Sequence, residues 1–154
     1  MAEKQTESLP YLRARLGLIG ELIVQKVAVQ YVDFCFRTCT GHPADLIIDH
    51  GGRLYRVNVK TRTKRKIDKK MQYLFEFTSK SKIEKHKNYP IEICASVYMP
   101  EGRVEFHATN TMKYGNYTTE GLHLTEDTER ESLQKALDDL NIKHSLNVSD
   151  YIAQ

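Results

Sequence analysis

The chain has 154 residues, 40% of them apolar and 28% charged, with a formal net charge of only +3. This is the composition of one soluble domain whose core needs no disulfide or metal staple. The longest apolar stretch, around Leu22 to Val24, is too short to cross a membrane, and the polar start MAEKQTESLP lacks an apolar signal core, so a cytoplasmic protein is expected. Three cysteines, Cys35, Cys39 and Cys94, cannot all pair and suit a reducing compartment, where thiols serve as small core residues. Cys35, Cys39 and His42 lack the second ligand pair that a structural zinc site needs.

In chain order, residues 9–32 read as a helix. Leu9, Leu12, Leu16, Ile19, Ile23 and Val27 recur at spacings of three and four, and Ser8 followed by Pro10 is a helix start. Gly17 and Gly20 lie inside it at a cost of about 1 kcal/mol each relative to alanine, which implies either close approach of another backbone or a break into two helices. Residues 31–38 are strand-like. Leu46, Ile47 and Ile48 start a hairpin turned by Gly51-Gly52, where both residues can take positive φ, and 54–61 is its partner strand. A two-residue loop pairs His50 with Arg53 and sets Asp45 opposite Asn58, and Asn58 shares a face with Lys60 because side chains alternate.

From Arg53 to Lys87 the chain carries thirteen Lys and Arg against Asp68, Glu76 and Glu84, a formal +10 that leaves −7 for the rest. Such a patch suits a polyanion. Further strands are expected over 72–78, 91–99 and, after a Pro100-Glu101-Gly102 turn, 103–108. The last element is an amphipathic helix over 128–140, with a Thr128/Glu131 capping box, an apolar stripe of Leu133, Ala136, Leu137 and Leu140, and Asn141 as C-cap. No repeat or linker divides the chain. One α/β domain over 1–154 follows, with a core over about 9–110, a C-terminal helical region over about 125–141, and helices flanking a mixed central sheet of four to five strands.

Metal-dependent phosphodiester hydrolysis needs a carboxylate for the cation, a group that orients water, and positive charge where the transition state gathers negative charge. Asp45 suits the first role, with the carbonyl of Val59 as a further oxygen ligand for magnesium, which prefers few protein ligands. Lys60 suits the second and third, and Glu21 on the first helix is a supporting acid.

His42-Pro43-Ala44-Asp45 followed by Asn58-Val59-Lys60 resembles the PD-(D/E)XK nuclease superfamily, and Gly17-Leu18-Ile19-Gly20-Glu21 is similar to its glutamate-bearing first helix. Within it, "GHPADLIID" and "YRVNVKTR" look most like the small homing endonucleases encoded in group I introns, and the similarity in motifs spans 16–65. The resemblance implies a restriction-endonuclease-like core, Mg2+ or Mn2+ as cofactor, double-stranded DNA as substrate, catalytic residues Glu21, Asp45, Asn58 and Lys60, metal ligands Asp45, Val59 and Glu21, and a homing-type double-strand break made by a homodimer or tetramer. Two residues depart from the pattern. Ala44 splits the usual Pro-Asp pair, and Asn58 stands where an acid is usual, bringing an amide oxygen without charge. A catalytically silent DNA-binding module and a Holliday-junction resolvase stay open as alternatives.

Arg62, Lys64, Arg65, Lys66, Lys69 and Lys70 are expected to bind phosphates. Base reading is expected from 80–88 or from the segment "KYGNYTT" at 113–119. His42, His50, His86 and His107 show no general-base pattern, and His42 is the one nearest the site by sequence. The C-terminal helix and the strand from Ile91 are candidate subunit contacts.

Overall fold

The computed structural model describes residues 9–77, 91–109 and 116–152. In chain order the elements are α1 (Leu9–Ala28), β1 (Phe34–Arg37), β2 (Leu46–His50), β3 (Arg53–Thr63), β4 (Arg65–Ile67), β5 (Lys70–Glu76), β6 (Ile93–Met99), β7 (Arg103–Ala108), β8 (Asn116–Thr119) and α2 (Glu126–Ile152). Five strands form a mixed sheet in the order β1-β2-β3-β6-β7, parallel only between β3 and β6. A parallel neighbour cannot be reached by a tight turn. The chain between β3 and β6 carries β4 and β5, which join β8 in a second, three-stranded sheet.

The β2–β3 hairpin has the register expected from its turn. Gly51 and Gly52 take φ of 60° and 78°, and pairing runs from His50↔Arg53 to Leu46↔Val57. Alternation along β3 sorts its residues: Tyr55, Val57, Val59 and Thr61 are buried, whereas Arg56, Asn58, Lys60 and Arg62 are half-buried on the other face.

The first face carries the main core. Leu46, Ile48, Val57, Ala95, Val97 and Phe106 from the sheet pack against Val24, Val27 and Ala28 of α1 and Leu133, Ala136, Leu137 and Leu140 of α2. Both helices therefore cover one side of the sheet. The opposite face of β6 packs Cys94 and Tyr98 against Tyr73 and Phe75 of β5 and against Phe77, just past its end.

Several expectations are corrected. The first helix is continuous through Gly17 and Gly20 and ends at Ala28, short of residue 32. Its predicted stripe is only partly buried: Leu9, Leu12 and Ile19 are exposed, and the buried set is Gly20, Val24, Val27 and Ala28. Apolar periodicity marks a helix, but the sheet lies under its C-terminal half alone.

The last helix starts earlier than the Thr128/Glu131 box implies. The Thr125 N–H donates to Thr128 Oγ1 at 2.7 Å and the Thr128 N–H to Thr125 Oγ1 at 3.3 Å, a reciprocal cap one turn upstream. Asn141 does not end it, since α2 continues to Ile152 and Asn141 Oδ1 instead accepts the Tyr55 hydroxyl at 2.8 Å. The strand from Ile91, expected as a subunit contact, is a central strand whose side chains are taken up within the chain. β6 lies between β3 and β7, with every residue from Ile93 to Tyr98 buried.

Candidate functional site

The site forms where β2 runs out beside the longer β3. The last paired residues are Leu46 and Val57, so 58–63 of β3 have β6 on one side and no ladder to β2 on the other. Asp45 leaves the ladder at this point. Its N–H reaches the Val57 carbonyl at 2.9 Å, and its carboxylate, through Oδ2, accepts the Val59 N–H at 2.7 Å. Asp45 is thus not seated in the ladder opposite Asn58 as the hairpin register alone would put it. Its side chain reaches past Asn58 to the next edge-facing amide.

Strand geometry fixes what else faces that edge. Along β3 the Val57 carbonyl addresses β2, while the Arg56 carbonyl accepts from Glu92 on the β6 side, at 3.0 Å. With this alternation the N–H and carbonyl of Val59 both turn to the open edge, beside the Asp45 carboxylate. One carboxylate and one backbone oxygen are brought together on rigid elements.

The segment before β2 holds Asp45 in place. Thr38 donates its N–H to the Asp45 carbonyl at 3.1 Å and its hydroxyl to the Ala44 carbonyl at 2.5 Å. His42 Nδ1 accepts the Ala44 N–H at 3.0 Å. His42, the histidine nearest the site by sequence, is therefore a bracket for the turn. Pro43 and the fully buried Ala44 lead into the strand, so the split Pro-Asp pair still delivers an aspartate to the strand start.

Glu21 arrives from α1. Gly20, its neighbour, is what allows α1 onto β3: a Cβ there would lie 1.7 Å from Thr61 Oγ1 and 3.0 Å from Thr61 Cβ. Of the two expectations for the glycine pair, close approach holds, and it holds at Gly20; Gly17 has nothing within 4 Å. The Glu21 carboxyl is held above its ordinary pKa by burial and then by the Asp45 charge, with Arg37 pulling it back. Arg37, at the end of β1, donates Nε to Glu21 Oε2 at 3.2 Å. No motif in the sequence singled out Arg37; only the pairing of β1 with β2 brings it there.

Asn58 and Lys60 lie opposite Cys94 and Ser96 across the β3–β6 pair. Burial pushes the Cys94 thiol up to about 12, while the charges of Lys60 and Asp45 act on it in opposite senses. Glu21, Asp45 and Lys60 thus share one electrostatic neighbourhood, with Asn58 beside it. Burial is the larger cause of the raised Glu21 carboxyl, and the Asp45 charge adds to it. Among the described residues no cluster of three or more His, Cys, Asp or Glu donors forms; the Asp45 and Glu21 carboxylates and the Val59 carbonyl are all oxygen donors, the kind a hard cation takes.

A cleft of about 620 Å³ lies between the first half of α1 and β5, with the far end of β3 as its floor. Arg13, Lys60, Arg62 and Arg65 line it, against a single acid, Glu76. Arg13 was not foreseen, although its spacing from Gly17 places both on one helix face. Of the other expected phosphate binders, Arg62 donates Nη1 to the Thr61 carbonyl at 2.9 Å, Lys64 Nζ sits 5.6 Å from the centre of the Tyr73 ring, and Lys66, Lys69 and Lys70 are exposed around the β4–β5 turn. Residues 80–88 lie outside the described residues, as does 113–115; 116–119 is β8.

No protein-family model matches the chain, and no curated protein matches it. Solved structures do. A bacterial homing endonuclease, I-Ssp6803I, superposes with a TM-score of 0.59 at 12% identity, over 85% of this chain and 95% of that one. A Holliday junction resolvase, Hjc, from Archaeoglobus fulgidus aligns over 71% of this chain and 85% of that one at 14% identity, with a TM-score of 0.34. The first likeness assigns this chain the restriction-endonuclease-like fold.

Proposed function

We propose that this restriction-endonuclease-like domain is a metal-dependent, site-specific endodeoxyribonuclease of homing type that cuts both strands of duplex DNA. The observation that carries the reading is the meeting of the Asp45 carboxylate and the Val59 amide edge, next to Lys60, at the mouth of a cationic cleft. Asp45, the Val59 carbonyl and Glu21 would hold the ion, with Asn58 as a neutral auxiliary ligand. When bound, Mg2+ or Mn2+ would polarise a phosphoryl oxygen and lower the pKa of a bound water.

The chain's own residues supply the rest. Lys60 orients the attacking water and offsets charge gathering on the phosphate. Arg62 seats a flanking phosphate, and Lys64, Lys66, Lys69 and Lys70 extend that track. Arg37 holds Glu21 at the edge of the site and moderates its repulsion with Asp45. One such site per chain can cut one strand at a time, so a double-strand break calls for at least a dimer.

The test is cleavage of a plasmid library of random inserts in Mg2+, with EDTA and Lys60→Ala as controls. Discrete cuts should appear and vanish in both controls, Lys60→Ala by a factor of about a hundred or more. Cuts that persist in Lys60→Ala refute the assignment of that residue. Binding without cutting, at low salt and with metal present, assigns the silent DNA-binding reading and points to Asn58 as the cause.

A further inference from the structure

The β4–β5 hairpin carries a feature that the cleavage chemistry does not use. β8 pairs with β5 only from Tyr73↔Thr119 to Glu76↔Asn116. β4 pairs with β5 from Arg65↔Gln72 to Ile67↔Lys70. From Gln72 to Lys70, β5 therefore pairs with β4 alone, and Arg65, Lys66, Lys69, Lys70 and Met71 of this two-stranded ribbon are exposed beside the cleft. Three residues of strand, Lys70 to Gln72, extend it by roughly 10 Å at about 3.3 Å each. The major groove of B-DNA is about 8.5 Å deep and admits a two-stranded ribbon.

The turn of this ribbon is built unlike that of the β2–β3 hairpin. Gly51-Gly52 uses glycine for its positive φ, whereas Asp68 and Lys69 take φ of 46° and 68° with side chains in place. Non-glycine residues there are strained and are kept where the side chains matter. Lys66, Lys69 and Lys70 surround that tip.

Alternation then separates two faces. Lys66 pairs with Met71 on the face that, further along β5, packs Tyr73 and Phe75 into the core. Arg65 pairs with Gln72 on the other face, in line with Leu74 and Glu76, and Arg65, Leu74 and Glu76 all line the cleft. The face that continues the cleft thus presents an arginine and a glutamine directly across from each other. Arginine pairs bidentately with guanine O6 and N7, and glutamine with adenine N6 and N7. Cross-strand neighbours lie about 5 Å apart, which matches edges of adjacent base pairs more closely than any wider spacing.

We propose that the β4–β5 ribbon enters the major groove and reads a guanine through Arg65 and a neighbouring adenine through Gln72, with Lys66 and Lys69 on phosphates. This deepens the proposed function and rests on duplex DNA being the partner. It also moves base reading from the segments first expected to carry it onto this hairpin.

The test is selection of binding sites from a pool of randomised duplexes by the full-length protein in Ca2+, with thermal melts of each variant as a fold control. The wild type should enrich a motif with a guanine next to an adenine. Arg65→Ala should flatten the guanine position alone and Gln72→Ala the adenine alone, each losing roughly ten- to hundredfold of discrimination. Lys66→Ala should keep every position and weaken binding uniformly, with the salt slope reduced by about 1. A motif left unchanged by both Arg65→Ala and Gln72→Ala overturns the ribbon as a reader, as does binding with no motif. A selected motif without cleavage in Mg2+ upholds the ribbon and removes the nuclease. No duplex binding at all removes both.

Discussion

Replacing Gly20 by alanine should separate α1 from β3 at the spot that positions Glu21. The added Cβ would sit 1.7 Å from Thr61 Oγ1, 3.0 Å from its Cβ and 3.3 Å from its Cγ2. Two of the three Thr61 rotamers keep a heavy branch at the colliding position, and the third still leaves the two Cβ atoms 3.0 Å apart, closer than packed carbons sit. Overpacking of this kind costs about 1–3 kcal/mol. Alanine also gains about 1 kcal/mol over glycine in a helix. Gly17→Ala receives the same gain with nothing within 4 Å. The difference between the two variants therefore isolates the collision, about 1–3 kcal/mol. At about 3 °C per kcal/mol for a domain of this size, Gly20→Ala should melt about 6 °C below Gly17→Ala, itself above the wild type. Urea denaturation of both, read by far-ultraviolet circular dichroism, gives the energies directly. Thr61→Ala removes Oγ1, which is buried without a hydrogen-bond partner, together with Cγ2, and should recover most of the loss in the Gly20→Ala background. Gly20→Ala as stable as Gly17→Ala would falsify the close approach of helix and strand.

Two further outcomes follow from shifted ionisation. The Glu21 carboxyl is raised by burial and by Asp45, so its stabilising contribution is complete below the unfolded value near 4.5 and is lost as pH rises through the higher folded value. Glu21→Gln should therefore melt above the wild type at pH 7 in EDTA, with the gap closing as the pH falls below 4.5; a lower melting point at pH 7 would mean that the Arg37 pair outweighs burial and repulsion. Burial holds the Cys35 thiol at about 11 and Cys94 at about 12, while Cys39 is exposed. Iodoacetamide at pH 8 should add one group to the native chain, at Cys39, and three after unfolding, counted by mass spectrometry; early modification of Cys94 would show that the β3–β6 face opens readily.

Local chemistry decided much of this protein in its sequence. Two adjacent glycines between apolar runs set the turn, and with it the register that puts Asn58 and Lys60 on one face of β3. The glycine pair in the first helix was legible as either a close contact or a break, because a missing Cβ is a local fact with a steric meaning, and the contact of Gly20 with the Thr61 side chain decides for the first. The concentration of cations after Lys60 was visible because charge counts need no coordinates.

What lay beyond the sequence depended on residues far apart in the chain. Half of the apolar stripe of α1 is exposed because the extent of the sheet beneath it is set by other strands. Arg37 joins Glu21, and Asn141 joins Tyr55, through pairings that no local pattern encodes. Above all, periodicity places Asp45 at a strand start, but only the early end of β2 beside a longer β3 lets its carboxylate take the Val59 amide and leaves that edge of β3 without a ladder to β2. A backbone edge becomes a site only when a neighbouring strand stops short of it, and the length of one strand against another is settled by packing across the whole sheet.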